Sequence, residues 1–437
     1  MIHRQIPLLR ISAVFVLLLT SSCRFTSVFK DHPDHPKTPQ PRPEIRSLKV
    51  SGNKIVDADG NEIYLRGFQG LGAYPIPDDL FLKAIYDNGT DPSTFDPIAQ
   101  DILRYTLTDF DVDEIKSTGA NVIRLWTRVY EIQRKPGVYS ENALQMLEDT
   151  VKKFGENGIY TILVLAGAGE NNYEPQHRYL ERGINLWDPT SSARADSIAV
   201  WGVLSERFSS NPYIAGYDVM NEPMPPTVQA LHDYYVDLIH EIRKHDSNHI
   251  IFLPLAQGNQ DTFQIGGEYD DDNIAVTFHF YRPHDFTLEP DIPNLTYPGT
   301  YDGKYWDKTA IGKIFALAVE LPQIKDKPIY VGEFGAGGER DGFGGLAWTR
   351  DVLEVMNRYG LHYTYHNYKH NVHAGYWIRT PEANVALLQL INAIIDGKVA
   401  YQDFTDEQKR NLFMTEYTSY RREGIKEILT EAFTAGQ

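Results

Sequence analysis

The chain has almost no cysteine: Cys23 is the only one among 437 residues. No intramolecular disulfide can form. A basic excess is also missing, with 42 Lys and Arg against 59 Asp and Glu, a formal net charge of −17. An acidic surface repels phosphate backbones, so nucleic acid is not an expected partner. No Gly-rich phosphate fingerprint follows the first strand-like run, which argues against a doubly wound nucleotide-binding sheet. No His-Glu-x-x-His pair appears. His366, His370 and His373 would share a face on a helix, but they follow a strand-like run into a loop. Neither a metal nor a cofactor is expected. Short repeats are absent too.

The one marked apolar run, "ISAVFVLLLT" (11–20), is too short to span a bilayer comfortably. It follows "MIHRQIPLLR", which carries His3, Arg4 and Arg10, and it precedes "SSC". Charged, apolar and small-residue segments in that order read as an export signal. The position of Cys23 resembles that of the lipidated cysteine in bacterial lipoprotein signals. Residues 1–23 are therefore expected to be a signal peptide of lipoprotein type, with Cys23 as the lipid attachment site. Residues 24–46 read as a tether, stiffened by five prolines in "DHPDHPKTPQPRPEIR" (31–46). The expected location is outside the cytoplasm, on the cell envelope, with membrane contact only through the lipid. The remaining domain, 47–437, is expected to be catalytic.

Hydrophobic residues make up 42% of the chain, enough for a large core. Aromatics reach 12%, which suits a carbohydrate cleft as well as ordinary packing. "LKVSGNKIVDADGNEIYLRGFQG" (48–70) reads as a hairpin around Asp59-Gly60. Strand-like runs then fall at 62–68, 120–126, 159–165, 214–220, 249–255, 273–280, 328–334 and 361–366. Helical patterns occupy 141–158, 191–212, 227–249, 308–324, 348–360 and 383–397. Eight short apolar strands alternating with helices predict an α/β fold, a (β/α)8 TIM barrel with an N-terminal β-hairpin. A C-terminal helical tail (405–435) has no evident role.

In such a barrel the working groups sit at the C-terminal ends of the strands. Here those ends carry Arg124, Asn221-Glu222, His279 with Tyr281, Glu333 and His366. Glu222 and Glu333 suit glycosidic cleavage, which needs two carboxyl groups flanking the bond. In a retaining enzyme they stand about 5–5.5 Å apart. Arg124 and a Tyr281 hydroxyl would keep Glu333 ionised as nucleophile. Glu222, as acid/base, would owe its proton to partial burial and to the charge on Glu333. Asn221 is placed to bond the sugar 2-hydroxyl. Pro223 should hold Glu222 extended. Asn221 and Glu222 share one site only if the strand bulges or ends there.

The segments "LRGFQG", "GANVIRLW", "NPYIAGYDVMNEP", "FHFYRP" and "IYVGEFGAGG" occur in order across residues 48–395. Together they resemble glycoside hydrolase family 5. The resemblance implies Glu222 as acid/base, Glu333 as nucleophile, and Arg124, Asn221, His279 and Tyr281 in support. Two positions depart from the family pattern. Ala166 stands where a histidine is usual after strand three. His366 stands where a tryptophan usually floors the sugar site, with Trp377 nearby in sequence, and the His366–Asn367 bond falls where the family tends to have a cis peptide. Trp187, Trp306 and Trp377 are candidate sugar platforms, and Trp201 reads as core. The implied substrate is a β-glucan or β-mannan. A glycolipid-cleaving endoglycosidase and a non-catalytic sugar-binding barrel are the alternatives.

Overall fold

Eight parallel strands close a barrel: β1 Arg66–Gly72, β2 Val122–Arg128, β3 Tyr160–Ala166, β4 Ile214–Asp218, β5 Ile250–Pro254, β6 Ile274–Phe280, β7 Ile329–Phe334 and β8 His362–Tyr365. The computed structural model describes residues 45–436 apart from 73–74, 76–80, 83, 86–88, 169–184, 257–263, 290–291, 293 and 370–374. The segment expected to be a signal peptide, Cys23, most of the expected tether, His370 and His373 lie outside the described residues.

Alternation along each strand divides the core. Ile123, Leu125, Leu163 and Leu165 face outward and pack under the helices. Val122, Tyr160, Ile162, Ala215, Phe252 and Tyr330 face the lumen. Leu48 and Ile55, from the segment ahead of β1, join that inner cluster and plug the lower end of the barrel. Helices outside the strands include α1 Asp109–Ser117, α2 Glu141–Gly155, α3 Ala193–Phe208, α4 Val228–His245, α5 Lys308–Glu320, α6 Gly345–Arg358 and α7 Ile425–Thr434. Side-chain caps start several of them. Ser140 Oγ accepts from the Ala143 N–H, Thr227 Oγ1 from Ala230 and Asp307 Oδ1 from Ala310. In α2, Leu144, Leu147, Val151 and Phe154 recur at helical spacing and are buried. Among the described residues no helix separates β5 from β6.

Two expectations need correction. The hairpin exists, but it pairs Lys49–Ser51 with Lys54–Val56 around Gly52, at φ +62°. At Asp59-Gly60 the chain makes a second turn, closed by a single bridge between Val56 and Glu62. Asp57 Oδ1 accepts the N–H groups of Asp59 and Asn61, donors that a ladder would otherwise use. The first barrel strand therefore starts at Arg66 rather than at Glu62.

The second correction concerns the tail, which completes the barrel. Its last helix, α7, packs on α6, and Phe433 meets Phe68 of β1 at 5.3 Å between ring centroids. The Ala432 carbonyl accepts from Arg66, Asn357 and Tyr363. The helix at Pro381–Ile395, which directly follows β8 in sequence, packs instead on Asp406–Phe413. The segment between β8 and α7 also contributes a two-stranded ribbon, Trp377–Arg379 with Ser419–Arg421.

Arg422 ties this tail to the loop after β7. Its guanidinium donates to Asp341, to the Ala336 carbonyl and to the Tyr365 hydroxyl, and it is buried. Removing one partner of a buried pair leaves the other charge uncompensated. Asp341 is partly exposed, which softens the effect. Arg422→Ala is expected to lower the unfolding free energy by about 3 kcal/mol, read as a lower urea midpoint at unchanged slope.

Candidate active site

The site is assembled around one guanidinium. Arg124 lies in the middle of β2, not at its end, and faces the lumen with no exposed surface. Its Nε donates to Asp218 Oδ2 at 2.7 Å, Nη1 to Glu333 Oε1 at 2.7 Å and Nη2 to Asn221 Oδ1 at 3.1 Å. One planar fork thus fixes three side chains from β4, the turn after it and β7. The second oxygen of Glu333 accepts from the Tyr281 hydroxyl at 2.8 Å.

Glu222 enters from the other side. Its Oε1 is 2.8 Å from His279 Nδ1, and the same nitrogen is 3.7 Å from Glu333 Oε2. His279 therefore stands between the two carboxyl groups. A Cβ on Gly332 would lie 3.1 Å from His279 Nε2, so this glycine leaves room for the ring. The reactive oxygens of Glu222 and Glu333 and a ring nitrogen of His279 all lie within 4.8 Å of one another. A metal ion could bridge donors so spaced, but the Arg124 charge on Glu333 opposes a cation there.

Backbone irregularities aim these side chains. Register slips occur between Phe278 and His279 on β6 and between Val331 and Phe334 on β7, beside the reacting groups. Glu222 has φ +48°, in the left-handed region, so it is not held extended ahead of Pro223. β4 has already ended at Asp218, and this turn lets Asn221 and Glu222 both face the lumen. Such a conformation costs on the order of 1–3 kcal/mol in a residue that is not glycine. Trp201 Nε1 donates to the Val219 carbonyl at 2.9 Å and anchors the chain just before the turn.

Two buried carboxylates compete for the single guanidinium. Burial pushes the Asp218 carboxyl up even beside Arg124. Burial acts the same way on Glu333, but His279, His366, Arg124 and the Tyr281 hydroxyl together hold it well below the usual carboxylate range.

His366 joins the cluster. Its Nδ1 is 2.9 Å from Gln69 Oε1 and 3.5 Å from Glu333 Oε2. The His366–Asn367 peptide is cis, as the sequence resemblance implied. Ala166 lies at the end of β3 in a small lumen cluster with Trp126 and Val164. The other tryptophans sit elsewhere. Trp377 packs on Phe110 and Tyr376 in the tail ribbon, among the described residues. Trp306 is buried beneath Lys304, Trp187 packs on Tyr234 and Trp201 is core.

Asp218 and Gln69 escaped the sequence reading. Both stood inside quoted motifs, "GYDVMNEP" and "LRGFQG". The available signal was polarity: Asp218 ends an apolar strand, and Gln69 is flanked by Phe68 and Gly70 within β1.

A family model described as cellulase (glycosyl hydrolase family 5) matches residues 90–372. A β-xylosidase from Phanerodontia chrysosporium is 32% identical over 258 residues, covering 56% of this chain and 54% of that protein. The chain thus spans about half the length of that relative. Endoglucanase C from Acetivibrio thermocellus is 22% identical, covering 60% of this chain and 84% of its own length. Among solved structures, endo-glycoceramidase II from Rhodococcus sp. superposes with a TM-score of 0.58 at 19% identity, covering 76% of this chain and 78% of its own. An endoglucanase gives 0.50 at 20% identity, with 60% and 82% covered. At such identities the structural likeness speaks for the barrel alone. The match of the family model across most of the barrel is what decides membership: the chain belongs to glycosyl hydrolase family 5.

Proposed function

We propose that the protein hydrolyses β-glycosidic bonds with retention of configuration, with Glu333 as nucleophile and Glu222 as acid/base. The observation that carries this reading is the pair of carboxyl groups with oxygens within 4.8 Å. An inverting pair stands about 6.5–9.5 Å apart to admit a water, whereas a retaining pair needs about 5–5.5 Å. Glu333 attacks the anomeric carbon while Glu222 protonates the leaving oxygen. Water, deprotonated by Glu222, then releases the sugar from Glu333. Arg124 and the Tyr281 hydroxyl keep Glu333 ionised and aimed. Asn221, held through its oxygen by Arg124, turns its amide N–H groups toward the sugar 2-hydroxyl. His279 orients Glu222.

The substrate class this supports is a β-linked glucan or related glycan. Relatives named endoglucanase and β-xylosidase support the β-linkage and leave the sugar to experiment. Export through residues 1–23, with lipid attachment at Cys23, is part of the same proposal and is supported by the segment order in the sequence.

Four outcomes are expected. Glu333→Gln should lower kcat on a β-glycan panel by about 10³-fold or more. Proton NMR of the wild-type reaction should show the β-anomer first; initial release of the α-anomer sinks retention. The acid limb of kcat/KM should also respond to Arg124. The ionised form of Glu333 is the active one, and its pKa is depressed, so activity should persist below the ordinary carboxylate range of about 4.3. Arg124→Gln removes a cause of that depression, so its acid limb should move to higher pH. Finally, Cys23→Ser should shift the enzyme from the membrane fraction to the soluble fraction. A wild-type protein already soluble rules out the anchor.

A further inference from the structure

His366 is held by contacts that fix its chemistry as well as its place. It follows β8 and stands in the lumen between Gln69 of β1 and Tyr281 after β6. The Tyr281 ring meets it edge-on, at 6.1 Å and 85°. The two oxygens nearest Nδ1 are both acceptors: Gln69 Oε1 at 2.9 Å and Glu333 Oε2 at 3.5 Å. A carboxylate oxygen cannot donate, so the imidazole proton belongs on Nδ1. In the neutral ring Nε2 then carries a lone pair and accepts. Burial lowers the His366 pKa, which favours that neutral ring, against Glu333 and Glu222, whose charges favour the cation.

Nδ1 is thus spent on the protein, and Nε2 is left for something else. Nε2 makes no hydrogen bond among the described residues, and it is not one of the buried polar atoms sealed without a partner. The His366 side chain keeps 23% of its surface accessible, against 7% for Glu333 beside it. The open edge of the ring therefore faces the cleft at the nucleophile.

We propose that His366 Nε2 accepts a hydrogen bond from a hydroxyl of the sugar seated against Glu333. This makes His366 a specificity-determining residue that demands a hydroxyl donor in that sugar. An apolar or donor-only side chain at this position would make no such demand. Gln69 acts through His366 as a positioning residue, because its oxygen selects which ring nitrogen is the acceptor. The inference rests on the hydrolase reading above and adds to it a rule for the substrate.

The test uses 4-nitrophenyl β-glucoside and β-cellobioside, each with single hydroxyls deleted from the sugar that bears the nitrophenol. Wild type should lose about tenfold in kcat/KM at one deletion position, the worth of a hydrogen bond lost to a desolvated acceptor. His366→Phe keeps an aromatic ring and has no acceptor, so the same deletion should cost it nothing further. His366→Gln supplies an amide oxygen and should keep part of the penalty. If circular dichroism shows His366→Phe unfolded, His366→Ala replaces it. A merely structural role would slow all substrates alike and would not erase the penalty of one hydroxyl. The inference is overturned if the variant lacking an acceptor keeps the wild-type penalty at every position. A wild-type chain inactive both on this panel and on the broader β-glycan panel overturns the hydrolase reading and this inference with it.

Discussion

The Arg124 guanidinium is the interaction on which the site depends. It has no exposed surface, and a bare charge so placed would cost several kcal/mol in lost hydration. Asp218, Asn221 and Glu333 satisfy its three directions. Those partners come from opposite parts of the barrel wall and cannot meet until the barrel is closed. The charge is therefore sheltered only in the folded state. In return, the middle of β2 and the ends of β4 and β7 are set relative to one another by one rigid, planar group. Lysine has the charge but not the fork, so it could not hold three partners in one plane.

The same guanidinium sets the electrostatics. It lies between two carboxyl groups, and the two respond in opposite directions. Asp218 has one oxygen on Arg124 and another, Oδ1, that is buried without a hydrogen bond among the described residues. Glu333 has both oxygens engaged, one by Arg124 and one by Tyr281. The imidazoles of His279 and His366 add to these donors at Glu333, whereas burial prevails at Asp218. The better-served group is the one at the mouth of the barrel, next to Glu222. Geometry and charge thus both favour Glu333, the residue proposed as nucleophile.

Much of this was legible in the sequence. Seven of the eight strands fall close to where apolar runs place them, because strands buried on both faces must be apolar throughout. β1 was misplaced by about four residues, since Asp57 captures local N–H groups and delays the strand. The role of α7 was invisible, because the helix that directly follows β8 in sequence looked equally suitable and nothing local marks α7 as the one that packs on β1. At the site, Glu222, Glu333, Arg124, Asn221, His279 and Tyr281 converge as their motifs suggested. Trp377 instead packs into the tail ribbon. The left-handed turn at Glu222 was half legible. Two adjacent polar residues needing one face demanded a break in alternation, but the presence of Pro223 pointed to the wrong backbone region.

The contact between Phe68 and Phe433 has a consequence for how the chain reaches its folded form. The two rings are 365 residues apart in sequence, yet β1 cannot cover its outer face without α7. Contacts of such long range form late, because chain entropy must be surrendered before they return any stability. During synthesis the outer face of β1 must stay without this cover until residue 433 has been made. The outer face of β1 is then among the last parts of the molecule to be covered.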